Sequence, residues 1–426
     1  MSSKKITNVI GRMVFDSRGY PTVEAEVQVD NNFYGASISP SGASKGKKEA
    51  LEKRDNDDNI FLGNSINENV FIINNKIKDT LVGVNVEDQV LIDKKLIELD
   101  GTNNKSKIGA NTTIAVSMAS LKAAAAANKT SIWEYLNNSS EKKLPLPEIQ
   151  IIGGGAHAKG SIPIQDFMII PNGAPDFHTA LHWVFKIYKL AGEKLFSENK
   201  LYGVADEGGY WPYFNDITSV LDFLVKVIED AGFEPYRQVS LSLDIAANNF
   251  KFNKKYRMSN KKNILFSSND LYDYLLKLIK SYPIISIEDP FAEEDIEYFK
   301  KLKENSPSYL QVVGDDLVVT NTKLIKKAYK KNAINSILIK PNQIGTITET
   351  SNALKLSNEL NLMSILSARS GESEDNFISD LSVGWKMKQL KVGSFSRSER
   401  MSKWNQCLRI GEKFKDKYAM HKIWNF

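Results

Sequence analysis

The stretch Ile284-Ile-Ser-Ile-Glu-Asp289 decides the fold. A short apolar run ends abruptly on two carboxylates, and Pro290 follows. The pattern recurs along the second half of the chain. Val239-Ser-Leu-Ser-Leu243 ends at Asp244, and Leu310-Gln-Val-Val313 ends at Gly314-Asp315-Asp316. Ser336-Ile-Leu-Ile339 ends at Lys340, and Met363-Ser-Ile-Leu366 ends at Ser367-Ala368-Arg369-Ser370. Longer stretches of helical character separate the runs. The intervals are roughly 25–45 residues, against about 30 per βα unit in a barrel of about 250 residues. The rhythm predicts successive units of an α/β barrel, with one longer insertion after Asp244.

In such a barrel the C-terminal ends of the strands share one mouth. Three carboxylates converging there repel one another unless a cation is held between them. A hard divalent cation with oxygen ligands removes that repulsion. Asp244, Glu288 and Asp315 therefore propose a magnesium site, and Lys340 beside them proposes a base whose pKa is lowered by its surroundings. Any one of these residues alone reads as an ordinary solvated loop carboxylate. The ordered set on consecutive units reads as a site.

Outward from the barrel, residues 4–15 and 22–40 show β-branched alternation broken by turn signals such as Arg18-Gly-Tyr-Pro21. Asn111 to Asn128, rich in Ala, Met and Leu, predicts a buried helix. Polar residues from Asn137 and the prolines at 145 and 147 predict a linker over 137–148. The division expected is an N-terminal α+β domain over 1–138 and a barrel over 139–426. The bulk numbers agree with a globular chain: 426 residues, 42% hydrophobic and 25% charged. A net charge of +5 is too small to indicate a dedicated nucleic-acid partner. Cys407, the only cysteine, excludes an intrachain disulfide and a cysteine zinc cluster, and reads as a buried small hydrophobe. No uncharged apolar run reaches about 18 residues, and the first residues lack an apolar secretion core. A membrane partner is not expected, and a reducing cytoplasm is.

The motifs together resemble the enolase family along nearly the whole chain. They are Asp16-Ser-Arg-Gly-Tyr-Pro-Thr-Val-Glu24, Pro40-Ser-Gly-Ala-Ser44, Gly154-Gly-Ala-His157, Asp206-Glu-Gly-Gly209 and Ser286-Ile-Glu-Asp-Pro290. Further along come Gly314-Asp-Asp-Leu317, Lys340-Pro-Asn-Gln-Ile-Gly345, Arg369-Ser-Gly-Glu372 and Arg397-Ser-Glu-Arg400. The resemblance implies an N-terminal α+β domain and a C-terminal modified (β/α)8 barrel. It implies a hydro-lyase that reversibly dehydrates 2-phosphoglycerate to phosphoenolpyruvate, with two magnesium ions per site, and a homodimer or larger homo-oligomer. Carried over residue by residue, Asp244, Glu288 and Asp315 hold the first ion. Ser41, in a mobile loop, is a ligand of the second. Lys340 takes the C2 proton and Glu207 protonates the leaving C3 hydroxyl. Arg369 and Ser370 contact phosphate, and Lys391 lies near the substrate carboxylate, where it lowers the pKa of Lys340. His157, Gln165 and Asp166 complete the substrate contacts.

Four positions depart from the family's pattern. Ala368 stands where the family has histidine, and Asp166 where it has glutamate. Gly153 replaces an asparagine, and Ala205 a glycine. Two enzymatic readings stay open: drift in a working enolase, or a relative that dehydrates another phosphorylated or phosphonylated hydroxy acid. A non-catalytic binding or scaffold role on the same fold is the third. The glycines at 153–155 are not a dinucleotide fingerprint, because no βαβ unit surrounds them. The lysine pairs at 326–327 and 330–331 read as solvated helix faces.

Overall fold

The computed structural model of the chain describes residues 4–30, 32–43, 46–137, 139–140, 142–158, 162–258 and 264–426. Ser44 of the Ser-Gly-Ala-Ser motif and Asn138 at the expected domain boundary lie outside them.

The chain begins with a meander of β1 (Ile6–Phe15), β2 (Pro21–Val29) and β3 (Phe33–Ile38), paired antiparallel in that order. Val23, Ala25, Val27 and Val29 of β2 alternate with polar residues, so one face is buried and the other meets solvent. The buried face lies on the helix Ala110–Ala127, whose residues are buried at nearly every position. Ala115, Ala119 and Ala123 of that helix pack in the meander's core, while Ile114, Met118 and Leu121 pack in the core of the barrel. The alanine run thus lets one helix sit between two cores. Contact is closest at Gly35, where an added Cβ would lie 2.3 Å from the Ala123 nitrogen and 2.4 Å from the Ala119 oxygen.

Eight strands close the barrel. They are β4 (Leu146–Gly153) and β5 (Asp166–Ile170), then, after a hairpin of β6 (Leu201–Val204) and β7 (Tyr210–Pro212), β8 (Ser240–Asp244). The insertion expected after Asp244 forms a small sheet of β9 (Lys251–Phe252), β10 (Lys255–Arg257) and β11 (Leu265–Phe266). The barrel resumes with β12 (Ile284–Glu288), β13 (Gln311–Gly314), β14 (Ser336–Ile339), β15 (Met363–Ser367) and β16 (Gln389–Ser394), and β16 pairs with β4 to close the ring. Each predicted run is one of these strands. The modification is β5, which runs antiparallel to both β4 and β8, while the other barrel pairings are parallel.

The expected linker over 137–148 is corrected at its end. Leu146 and Pro147 already pair with Gln389 and Leu390 as the first rungs of β4, so the connection stops at residue 145. Pro147 is tolerated because it sits near the start of its strand. Several outer helices start on side-chain caps: Asp176, Asp216, Ser267 and Thr346 each accept a first-turn N–H. No helix among the described residues is long and apolar enough to cross a membrane.

Gly35→Ala should force the meander off the alanine helix, since both nearest atoms are backbone. A loss of about 1–3 kcal/mol, typical of overpacking, is expected in urea unfolding. An unchanged midpoint would show that the approach at Gly35 does not constrain the sheet.

Candidate active site at the barrel mouth

The barrel register sets the site. Asp244 at the end of β8 is the direct neighbour of Glu288 at the end of β12 and of Asp166 at the start of β5. Lys391 on β16 neighbours Ser367 on β15 and Glu148 on β4. Lys340 follows β14 and begins the short helix Pro341–Ile344, its N–H held by Thr320 Oγ1 at 2.9 Å. Several loop residues here adopt left-handed backbone without being glycine, among them Ala246, Asp289, Val319 and Thr320. Such strain persists only where the surroundings over-determine it. Asp289 shows how: its carboxylate accepts the N–H groups of Asp315 at 3.0 Å and Asp316 at 2.7 Å, and so shapes the turn that presents Asp315.

One narrow polar cleft gathers most of the predicted residues. His157, Gln165, Asp166, Glu207, Asp244, Lys340, Arg369, Ser370 and Lys391 line it, with Gly42, Ser367 and Ala368. Ala368 supplies its one apolar side chain. Glu288 and Asp315 are buried alongside. Ser41 instead lines an adjoining open cleft with Arg18 and Arg54.

Two lysines serve as counter-ions of the carboxylates. Lys391 Nζ lies 2.9 Å from Asp244 Oδ2 and 2.6 Å from Glu288 Oε2, and Lys340 Nζ contacts Asp315 Oδ2. Asp244, Glu288 and Asp315 therefore do not converge on one point. The described groups whose ligand atoms lie within 4.8 Å of one another are His157, Asp166 and Glu207, and Asp289, Asp315 and Asp316. The donor set still suits a hard cation. Glu288 Oε1 is buried without a hydrogen-bond partner, an orphan oxygen that a cation would satisfy.

The electrostatics follow from this pairing. Burial, reinforced by Asp244, holds the Glu288 pKa well above the usual carboxylate range. Burial alone would raise Asp315, but the Lys340 ammonium outweighs it and the net shift is downward. The expectation that Lys340 has a lowered pKa is corrected. Burial and, more weakly, Arg369 and Lys391 do push it down, but Asp315 and Glu288 push it up further, and the net shift is upward. Lys391 is likewise raised, because Asp244 and Glu288 overcome its burial.

Across the cleft, His157 Nδ1 meets Asp166 Oδ1 at 2.9 Å, and its Nε2 lies 3.8 Å from Glu207 Oε1. Burial lowers the imidazole pKa, yet Asp166 and Glu207 overcome it and raise it to about 9. Glu207 is raised by burial despite His157. Asp166 is lowered, because His157 outweighs its burial. Gln165 donates to Asp244 Oδ2 at 3.1 Å.

The predicted phosphate contacts are already engaged. Arg369 forks onto Glu49 at 3.1 and 3.3 Å and reaches Asn342 Oδ1 at 3.1 Å. Ser370 Oγ accepts the Ala43 N–H at 2.6 Å. Ser41 is engaged as well: its backbone exchanges hydrogen bonds with Gly371 at 2.9 and 2.8 Å, and its hydroxyl donates to Glu52. The Asp16 motif closes the same seam, with the Ser17 N–H donating to the Glu372 oxygen at 2.7 Å. Arg400, fully buried, donates to the backbone oxygens of Arg369, Ser370 and Val392 and so fixes the Arg369–Ser370 turn. Arg400 belongs to the Arg397-Ser-Glu-Arg400 motif, yet its residue type gives no sign of this role, nor do those of Glu49 and Asp289.

Two departures explain each other. Gly153 ends β4 beside Ala205, and a Cβ at 153 would lie 2.4 Å from the Ala205 Cβ. The methyl at 205 fits because position 153 carries no side chain.

The family model described as Enolase, N-terminal domain matches residues 6–136, and that described as Enolase, C-terminal TIM barrel domain matches residues 141–424. Among curated relatives, a protein named Enolase from Ehrlichia ruminantium (strain Welgevonden) is 44% identical over 414 residues, covering 96% of this chain and 97% of the relative. One from Ehrlichia canis (strain Jake) is 43% identical over 410 residues, with 96% and 97% covered. One from Ehrlichia chaffeensis (strain ATCC CRL-10679 / Arkansas) is 43% identical over 405 residues, with 95% and 96% covered.

Two outcomes follow from this geometry. His157 should titrate near pH 9 in the ring-proton spectrum of the folded protein. Because its folded pKa exceeds the unfolded value of about 6.5, its contribution to stability is complete below pH about 6.5 and lost as pH rises through about 9. A midpoint near the unfolded value would mean that the Asp166 pairing does not form. Separately, Gly153→Ala should destabilise by about 1–3 kcal/mol, and Ala205→Gly in the same chain should restore most of the loss. Equal losses in the single and double variants would refute the packing argument.

Proposed function

The chain belongs to the enolase family, and from that premise we propose that it is a magnesium-dependent hydro-lyase interconverting 2-phosphoglycerate and phosphoenolpyruvate. The observation that carries the reading is the presence of a lysine and a carboxyl group whose pKa burial raises, in one polar cleft beside buried carboxylates with an orphan oxygen. Asp244, Glu288 and Asp315 would hold the metal, with Ser41 at a second ion. When bound, magnesium supplies positive charge against the negative charge that grows on the substrate carboxylate as C2 loses its proton.

The chain's own residues supply the rest. Lys340 is the base at C2. To act it must be neutral, so the Asp315 oxygen that holds its proton has to be drawn elsewhere, and the nearby Arg369 and Lys391 charges then favour the free amine. Burial raises the Glu207 pKa and so favours its protonated form, which can give a proton to the departing C3 hydroxyl. Lys340 follows β14, while Glu207 sits in the turn before β7, which pairs with β4; β15 and β16 separate those walls of the ring. Base and acid thus approach from different sides, as an anti elimination requires. Arg369 offers phosphate a planar donor fork once Glu49 yields it.

A specific observation keeps a second substrate open. The Ala368 methyl leaves one apolar, donor-free patch in an otherwise polar wall. A neighbouring substrate group that accepts no hydrogen bond suits that patch, as a modified phosphorylated or phosphonylated acid would provide.

The deciding assay follows the enol product by absorbance with purified protein, 2-phosphoglycerate and a magnesium titration. Turnover that depends on magnesium is expected, with a loss of about 100- to 10,000-fold in Lys340→Ala. Absence of turnover at every magnesium concentration would sink the reading. Weak turnover that rises in Ala368→His combined with Asp166→Glu would favour the second substrate.

A further inference from the structure

Glu207 and the His157–Asp166 pair come from different segments, and no hydrogen bond joins them directly, since His157 Nε2 stands 3.8 Å from Glu207 Oε1. Their relative placement must therefore come from the scaffold. The turn carrying Glu207 is closed by Gly208 N–H to Ala205 O at 3.0 Å and Ala205 N–H to Gly209 O at 2.8 Å. Several groups hold its backbone: Tyr188 and Ser396 hydroxyls on the Gly208 oxygen, the Ser394 N–H on the Glu207 oxygen, and the Asp206 N–H on the His157 oxygen. Gln150 is the one that also grips a side chain of the cleft.

Gln150 is fully buried on β4. Its Nε2 donates to Asp166 Oδ1, the same oxygen that faces His157 Nδ1, and its Oε1 accepts the Gly209 N–H at 2.7 Å. Ionised carboxylate only accepts and backbone N–H only donates, so the amide has a single productive orientation. There is no slack on the turn side, where a Cβ on Gly209 would fall 2.4 Å from Gln150 Oε1. One side chain thus spans both segments.

We propose that Gln150 is a positioning residue that locks the Glu207 turn to the His157–Asp166 pair and so sets where the acid's proton is delivered. The catalytic part of this inference rests on reading Glu207 as the acid. Losing the bridge frees the turn to shift, and a displacement of about 1 Å can cost roughly 100-fold in rate.

The test uses the full chain in three variants: Gln150→Ala, Gln150→Glu and, as a control, Gln311→Met. Gln311 is another buried barrel glutamine, bonded to Gln389 at 2.9 Å and remote from this bridge. Gln150→Ala should lower kcat for 2-phosphoglycerate by up to about 100-fold with KM little changed. It should also speed amide hydrogen exchange across residues 205–209. Gln150→Glu can make both bonds only while its carboxyl keeps a proton, so its kcat should fall with rising pH where the parent's does not. Gln311→Met should leave kcat, pH profile and exchange at 205–209 unchanged, whatever it does to stability. Parent-like kcat and exchange in Gln150→Ala would overturn the proposal, as would equal losses in Gln150→Ala and the control. If the parent does not turn over 2-phosphoglycerate, the proposed reaction fails, and exchange at 205–209 alone decides whether Gln150 locks the turn.

Discussion

Lys391 touches two buried carboxylates at once, and the barrel mouth depends on that contact. Charges out of water are costly unless paired at close range. Strand register brings Asp166, Asp244 and Glu288 side by side, so their repulsion has to be met locally. Lys391 meets it for Asp244 and Glu288, Lys340 for Asp315, and His157 for Asp166. The same pairings explain why Lys340, Lys391 and His157 hold their protons more tightly than usual. A cation held by Asp315 would have to compete with the Lys340 ammonium for an oxygen, and in doing so would free the lysine proposed as base.

The N-terminal part is tied into this balance. The Ser41 bridge to Gly371, the Ala43 contact on Ser370 and the Glu49 fork on Arg369 press one loop against the end of β15. A phosphate arriving at Arg369 meets a site already filled by a carboxylate. Binding there, if Arg369 is the phosphate contact proposed above, would exchange one anion for another at a buried guanidinium.

The barrel was legible because its strands are short, buried on both faces and punctuated by charge. Ile284–Glu288 and Ser336–Ile339 could be read from composition alone. The reversed direction of β5 could not, since a strand carries no mark of its polarity. The proposed ligands and the base stood out because carboxylates and lysine at strand ends are costly without a purpose. The protonation of Lys340 was misread because it depends on which oxygen lies nearest, a fact of three dimensions. Arg400, Asp289, Glu49 and Gln150 act on backbone groups or on other side chains far away in sequence, so their residue types alone gave no signal. The linker was drawn too long because prolines mark loops more often than the first residues of a barrel strand.

The fit between Gly153 and Ala205 has a bearing on how such a chain arises. The two positions are 52 places apart in the numbering, yet they share one space that holds a single Cβ. A chain bearing a side chain at 153 has no room for the methyl at 205, so single steps between the two arrangements pass through glycine at both positions. Grafting the Glu207 loop of this protein onto a relative would carry its methyl into an occupied space unless its distant partner travelled with it.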